Sequence, residues 1–269
     1  PISFFKTHQV LSTPTEAKTI FTSSGTTQST TSKHLVPDIK LYEESFLKAF
    51  ESFYGAPEEI CILALLPSYL EREGSSLIYM VDDLIKKSNH PDSGFYLHNL
   101  AELHQKLLEL EQRNTKTLLI GVSFALLELA EQFPMKLKKT IVMETGGMKG
   151  RRKELIREEL HHILTQGLGV DRIHSEYGMT ELLSQAYSKG NGIFQTPPWM
   201  KIITRDTEDP LNIQAHDKTG GINVIDLANL YSCSFIATQD LGKTYANGSF
   251  EVLGRFDDSD IRGCNLMVL

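Results

Sequence analysis

Cysteine is scarce in this sequence: the 269 residues hold three, Cys61, Cys233 and Cys264, and none lies near another. An odd, widely spaced set excludes a disulfide framework and the close pairs of a zinc site. It is the usage expected of a reduced, cytoplasmic protein. Long apolar runs are missing too. None approaches the roughly 18–20 residues that a bilayer span requires, and no secretory signal is visible. Positive charge is in the minority, with 27 Lys and Arg against 34 Asp and Glu, a net charge of −7. A general nucleic-acid binder needs a basic face, so nucleic acid is not the expected partner. A small anion is not excluded, because local backbone amides bind phosphate in an acidic protein. The GxxxxGK[ST] phosphate motif is absent as well.

What is present suits a globular enzyme of one large domain or two small ones. Hydrophobic residues make up 41% and charged residues 23%, the balance of a chain that buries a core without staples. Phe46, Leu47, Phe50, Phe53 and Tyr54 recur at helical spacing, and so do Leu77, Ile78, Val81, Leu84 and Ile85. Leu155, Leu160, Ile163 and Leu164 mark a helix between Arg151 and Gln166. Cys61–Leu66, Leu118–Ile120 and Thr140–Met143 are short continuous apolar runs, the pattern of strands buried on both faces. Alternating buried strands and amphipathic helices predict a layered α/β sheet, largely parallel, over residues 1–190. The pattern then changes. Segments 200–205, 220–226, 233–239 and 249–254 read as strands, and Asn247-Gly248 is a hairpin turn signal. Residues 191–269 are therefore expected to be β-rich.

Three places carry candidate chemistry. The first is the Ser/Thr-rich stretch from Thr22 to Lys33. Ser23, Ser24, Thr26 and Thr27 supply hydroxyls, Gly25 permits close backbone approach, and successive amides form an anion cradle with Lys33 as a point charge. Composition alone favours a solvated polar loop. The second is Ser175–Glu181. Thr180 reads as the N-cap of a helix beginning at Glu181, Tyr177 offers a flat face to a base, and the Glu181 carboxylate suits Mg²⁺ on phosphate oxygens. An ordinary strand, turn and capped helix is the plain alternative. The third is Thr238–Gly242, where Asp240 reads as a carboxylate at a strand end able to accept from ribose hydroxyls. Gly254–Asp258 follows it. Two charged turns between strands would look the same. Cys61 and Cys233 lie in apolar strand patterns and are expected to be buried. His98, His174, His161 and His162 suggest no partner.

The order of these places raises them above their separate readings. Ser23-Ser24-Gly25-Thr26-Thr27, Gly146-Gly147, Tyr177-Gly178-Met179-Thr180-Glu181, Asp240 and Gly254-Arg255-Phe256-Asp257-Asp258 together resemble the signature motifs of the adenylate-forming superfamily of acyl-CoA synthetases, peptide-synthetase adenylation domains and luciferases. The resemblance runs from Phe21 to Asn265. Within it, Phe4–His8, Lys33-His34 and the ending at Arg262–Leu266 are most similar to the acyl-protein synthetase (LuxE) family, known from bioluminescence. The resemblance implies the large-domain fold of that superfamily, with the small lysine-bearing C-terminal domain absent. It implies a ligase that uses ATP and Mg²⁺ to convert a carboxylic acid, a long-chain fatty acid in that family, to acyl-AMP. Phosphates would lie on Ser23, Ser24, Gly25, Thr26, Thr27 and Lys33, adenine between Tyr177, Gly178 and the Gly146-Gly147 loop, and ribose on Asp240 and Arg255. Mg²⁺ would be held by Glu181, with Thr180 near the α-phosphate. Cys264 would take the acyl group as a thiolate, its pKa lowered by Arg262. An acyl reductase or acyl-carrier protein would be the partner, and the oligomeric state is open. An acyl-CoA ligase deprived of its lysine domain and a non-catalytic nucleotide-binding relative are the alternatives. The family begins earlier than Pro1, so an upstream segment is expected.

Overall fold

The computed structural model describes residues 1–23, 31–67, 74–146 and 155–255. A short helix, α1 (Phe4–Thr7), leads into an antiparallel hairpin of β1 (Thr19–Thr22) and β2 (Lys33–Val36). Helix α2 (Ile39–Tyr54) follows, opened by Asp38, whose carboxylate accepts the Lys40 N–H at 3.1 Å. Its buried Tyr42, Phe46, Ala49 and Phe50 form one stripe at three- and four-residue spacing.

The parallel part of the sheet then builds up by crossovers. Strand β3 (Cys61–Leu65) leads through α3 (Ser76–Ser88) to β4 (Gly94–Phe95), and α4 (Leu100–Gln112) leads to β5 (Thr117–Val122). Helix α5 (Ser123–Gln132) precedes β6 (Thr140–Thr145), and α6 (Arg157–Leu168) precedes β7 (His174–Tyr177). These five strands pair in parallel in the order β4-β3-β5-β6-β7. The continuous apolar runs follow from this placement. Ile62 and Ala64 of β3 join the core under α2 and α3, while Cys61, Leu63 and Leu65 join the core under α4, α5 and α6. A strand covered on both faces has no polar side to show. Each fully buried leucine contributes about 1.5–3 kcal/mol.

Beyond β7 the pairing becomes antiparallel. The remaining strands are β8 (Ala186–Ser188), β9 (Ile193–Gln195), β10 (Met200–Arg205), β11 (Thr219–Asp226), β12 (Phe235–Thr244) and β13 (Phe250–Arg255). They extend the same sheet as β7-β8-β9-β13-β12-β11-β10, eleven strands among the described residues. The change of pattern expected near residue 190 thus falls close to the switch from parallel to antiparallel pairing. The sheet runs through it unbroken, since β8 and β9 pair with each other. A third core, with Tyr177, Leu182, Phe194, Ile222, Val224, Ile236 and Phe250, lies on this half and takes in Ile2 and Phe5 from the N-terminus.

Four sequence expectations change. No helix follows Thr180; the chain turns and enters β8. The strand expected at 233–239 begins at Phe235 and runs to Thr244, so Asp240 sits inside it and not at its end. Cys233 lies before that strand and is only partly buried, while Cys61 is buried as expected. Helices α4 and α5 were not anticipated, although Leu100, Leu103, Leu107 and Leu110 of α4 carry a helical stripe. Among the described residues no helix is long and apolar enough to cross a membrane.

Candidate active site

The candidate residues gather at the carboxyl ends of β6 and β7, where an open α/β sheet binds its ligands. Strand β6 ends at Thr145, and Gly146 after it has a φ of +69°, the left-handed conformation that glycine adopts without steric cost. The Ser123 hydroxyl donates to the Gly146 carbonyl at 2.8 Å and fixes this exit. Gly147 lies outside the described residues. Strand β7 ends at Tyr177, and Gly178 follows because a Cβ there would collide with the Glu176 carboxylate.

Tyr177 is buried, and its ring meets Phe194 and Phe250 edge-on. Its hydroxyl donates to Asp240 Oδ2 at 2.8 Å. Burial and the Asp240 charge hold the Tyr177 phenol far above its ordinary value, so it remains a donor. Arg255 Nε donates to Asp240 Oδ1 at 3.2 Å. That contact is set by register, because Asp240 of β12 and Arg255 of β13 are directly paired. Three residues named from separate motifs thus form one chain, Tyr177–Asp240–Arg255. Asp240 is 6% exposed, and two of its roughly four lone-pair directions remain for a ligand.

Thr180 and Glu181 form the turn after β7. Glu181 is 6% exposed, and no group of the described residues donates to its carboxylate. A carboxylate left uncommitted in this turn fits a cation. Among the described residues no three or more His, Cys, Asp or Glu are grouped to hold a metal. A metal at Glu181 would therefore draw its other oxygens from nucleotide and water, the habit of Mg²⁺.

The turn replaces the expected helix because side chains claim its backbone. Asp226, fully buried at the end of β11, accepts the Leu183 N–H at 2.8 Å and the Ser184 hydroxyl at 2.5 Å. Asn229 donates its amide to the Glu181 carbonyl at 2.8 Å. His34 Nδ1 donates to the Thr180 carbonyl at 2.8 Å, and its Nε2 lies 3.0 Å from Asn229 Oδ1. Asp226 and Asn229 escaped sequence reasoning. In Asp226-Leu227-Ala228-Asn229 they read as ordinary turn residues, and only the fold brings them under residues 180–184.

The Ser/Thr stretch joins β1 to β2. Its base is closed by Ser32 N–H donating to Ser23 Oγ at 2.9 Å and Ser23 N–H donating to the Ser32 carbonyl at 3.1 Å. Lys33 is exposed at the start of β2. Ser24, Gly25, Thr26 and Thr27, and at the far end Phe256, Asp257, Asp258, Arg262 and Cys264, lie outside the described residues. Two of the unassigned histidines have neighbours. Tyr54 Oη lies 3.3 Å from His174 Nδ1, and His161 Nε2 lies 3.6 Å from Glu144.

Beside the site, Glu176 accepts the Thr145 hydroxyl at 2.5 Å. Burial holds the Glu176 carboxyl at about 7, above its ordinary 4.5; the Thr145 bond opposes the rise and the Glu144 charge adds to it. Between those values the folded chain keeps a proton that the unfolded chain has released. Stability is therefore expected to fall as pH rises from about 4.5 to about 7, then to level off. Glu176→Gln should flatten that part of a urea-midpoint profile, and an unchanged profile would refute the assignment.

No protein-family model matches the sequence, and no curated protein matches it. Solved structures do. ATP-bound MatB from Rhodopseudomonas palustris superposes with a TM-score of 0.63 at 19% identity, over 88% of this chain and 47% of MatB. O-succinylbenzoate coenzyme A synthetase (MenE) from Bacillus subtilis, in complex with ATP and magnesium, gives 0.61 at 17%, over 88% of this chain and 49% of MenE. Coronafacic acid ligase from Pectobacterium brasiliense gives 0.54 at 14%, over 80% and 43%. The chain spans about half the length of these proteins. At such identities the likeness is one of fold: the chain shares the layered α/β fold of these structures.

Proposed function

We propose that this chain is the nucleotide-binding part of a ligase that activates a carboxylic acid with ATP, releasing pyrophosphate and forming acyl-AMP. The observation that carries the reading is the Tyr177–Asp240–Arg255 chain, with Glu181 in the turn that follows Tyr177. The fold supports it, since both MatB and MenE were solved with ATP, MenE with magnesium as well.

A carboxylate is a poor electrophile, and the reaction brings two anions together. The carboxylate oxygen attacks the α-phosphorus, the bond from that phosphorus to the bridging oxygen breaks, and pyrophosphate leaves with the electron pair. The chain's task is positioning. Ribose hydroxyls donate to the free lone pairs of Asp240, which Tyr177 and Arg255 hold in place. Adenine lies between Tyr177, Gly178 and the loop begun by Gly146 and Gly147. The hydroxyls and amides of Ser23, Ser24, Gly25, Thr26 and Thr27 receive the phosphates, helped by Lys33. Thr180 stands at the α-phosphate. Mg²⁺, when held by Glu181, neutralises charge on the phosphate oxygens.

The finer reading is an acyl-protein synthetase acting on a long-chain fatty acid. The Cys264 thiolate then attacks the acyl carbon, AMP leaves with the carbon–oxygen electron pair, and a thioester forms. An acyl reductase or acyl-carrier protein takes the acyl group next. The test is ATP–pyrophosphate exchange over a panel of acids, followed by incubation with ATP and radiolabelled fatty acid. Acid-dependent exchange with label on the protein, lost in Cys264→Ala, is expected. Exchange that survives with label only on added coenzyme A would remove the acyl-protein reading. No exchange with any acid would remove adenylation itself.

A further inference from the structure

The Thr180–Ser184 turn is held by side chains from two distant segments, His34 from one and Asp226 and Asn229 from the other. Its imidazole is wholly buried, with Phe5 edge-on at 5.4 Å. It stands on β2, two residues after Ser32 closes the base of the Ser/Thr loop. One face of the ring's polar edge serves the Thr180 carbonyl and the other meets Asn229, which serves the Glu181 carbonyl.

Those two carbonyls bracket one residue. The Thr180 carbonyl lies in the peptide plane before the Glu181 Cα, and the Glu181 carbonyl lies in the plane after it. Peptide units are rigid, so a residue has only φ and ψ to vary. Anchoring both planes fixes both angles, and with them the direction of the Glu181 Cα–Cβ bond. The next atoms are held too: Leu182 N–H donates to the Met179 carbonyl at 3.1 Å, and Leu183 N–H to Asp226. The side chain so aimed is the one to whose carboxylate no group of the described residues donates.

We propose that His34 and Asn229 are positioning residues that aim the Glu181 carboxylate at the metal–nucleotide complex and tie its placement to the strand leaving the Ser/Thr loop. The inference rests on the adenylation reading and adds to it the residues that order the metal-holding side chain. The ionisable groups near the ring are few. Glu181 contributes its carbonyl-bearing turn, Asp226 spends its carboxylate on Leu183, Ser184 and Ala228, and Lys33 points to solvent. Both ring nitrogens face oxygen acceptors, so these contacts favour the protonated ring, while burial, the larger effect, holds the imidazole below its ordinary value.

The test measures Mn²⁺ binding to the full chain with ATP, by the loss of the free-ion paramagnetic signal. Outer partners of a metal ligand typically alter affinity by about 10–100-fold. His34→Ala and Asn229→Ala should each weaken ATP-dependent Mn²⁺ binding by about tenfold or more. ATP binding without metal should change little. His34→Asn, which places an amide nitrogen near the position of Nδ1, should recover part of the loss. That recovery separates aiming from mere support of the fold, as does a melting curve for each variant. Metal binding equal to wild type in folded His34→Ala and Asn229→Ala would overturn the inference while leaving adenylation standing. A wild-type chain that binds no Mn²⁺ with ATP would overturn both.

Discussion

Glu181→Gln is expected to cut Mg²⁺-dependent ATP–pyrophosphate exchange by about 10²–10³-fold, the usual cost of removing one well-aimed group that steadies developing charge. The expectation follows from the place of Glu181 in the turn after β7, with no group of the described residues donating to its carboxylate. Glutamine has nearly the same shape, so the variant should fold about as stably as wild type. The two readouts separate the roles: activity falls while the melting temperature holds. Steady-state exchange at several Mg²⁺ concentrations, with a thermal melt, measures both. Full exchange in the variant would remove Glu181 from the metal's reach.

Asp240→Asn is expected to raise the KM for ATP by about 10–100-fold with a smaller change in kcat, because a hydrogen bond to a charged group contributes roughly 1.5–3 kcal/mol. The amide loses the charge that attracts Arg255 and one of the acceptor oxygens that Tyr177 and ribose share. Arg255 is 70% exposed at its side chain, so its own share of the ion pair is screened by solvent. Arg255→Ala should accordingly weaken ATP binding less than Asp240→Asn. Equal effects from the two, or an effect confined to kcat, would contradict a ribose-binding role. The same pair of variants tests the direction of the Tyr177 bond. With Asp240 neutral, the charge that helps keep the phenol protonated is gone, and the Tyr177 titration should move toward its ordinary value.

Much of the fold was legible because local and global preferences agree. The runs Cys61–Leu66 and Thr140–Met143 are apolar without alternation, and only a strand covered on both faces needs that. The antiparallel strands at 200–205 and 249–254 announce themselves by turn residues at their ends. Thr180 misled because Ser, Thr and Asp signal caps from sequence alone, while the backbone groups after it had already been claimed by Asp226 and Asn229. Asp240 was placed at a strand end because the strand was read as 233–239. Gly242 instead lets the strand pass a crowded bulge, where a Cβ would run into the β13 backbone and Ile222.

The sequence by itself nominated the residues proposed to carry chemistry: Tyr177, Glu181, Asp240 and Arg255 were named from motif order before any contact was known. What it could not determine is that they meet. Tyr177 is on β7 and Asp240 on β12, four places apart in strand order. In a flat sheet they would lie about 19 Å apart at the usual strand spacing. They touch at 2.8 Å because the antiparallel half curls over the core of Phe194, Ile222, Val224 and Phe250. The same folding carries His34 and Asn229, 195 residues apart, to opposite ends of one buried polar chain beneath Glu181. Motifs record what each segment offers a ligand, whereas the partners that aim those groups come from distant segments, chosen by packing that no local pattern encodes.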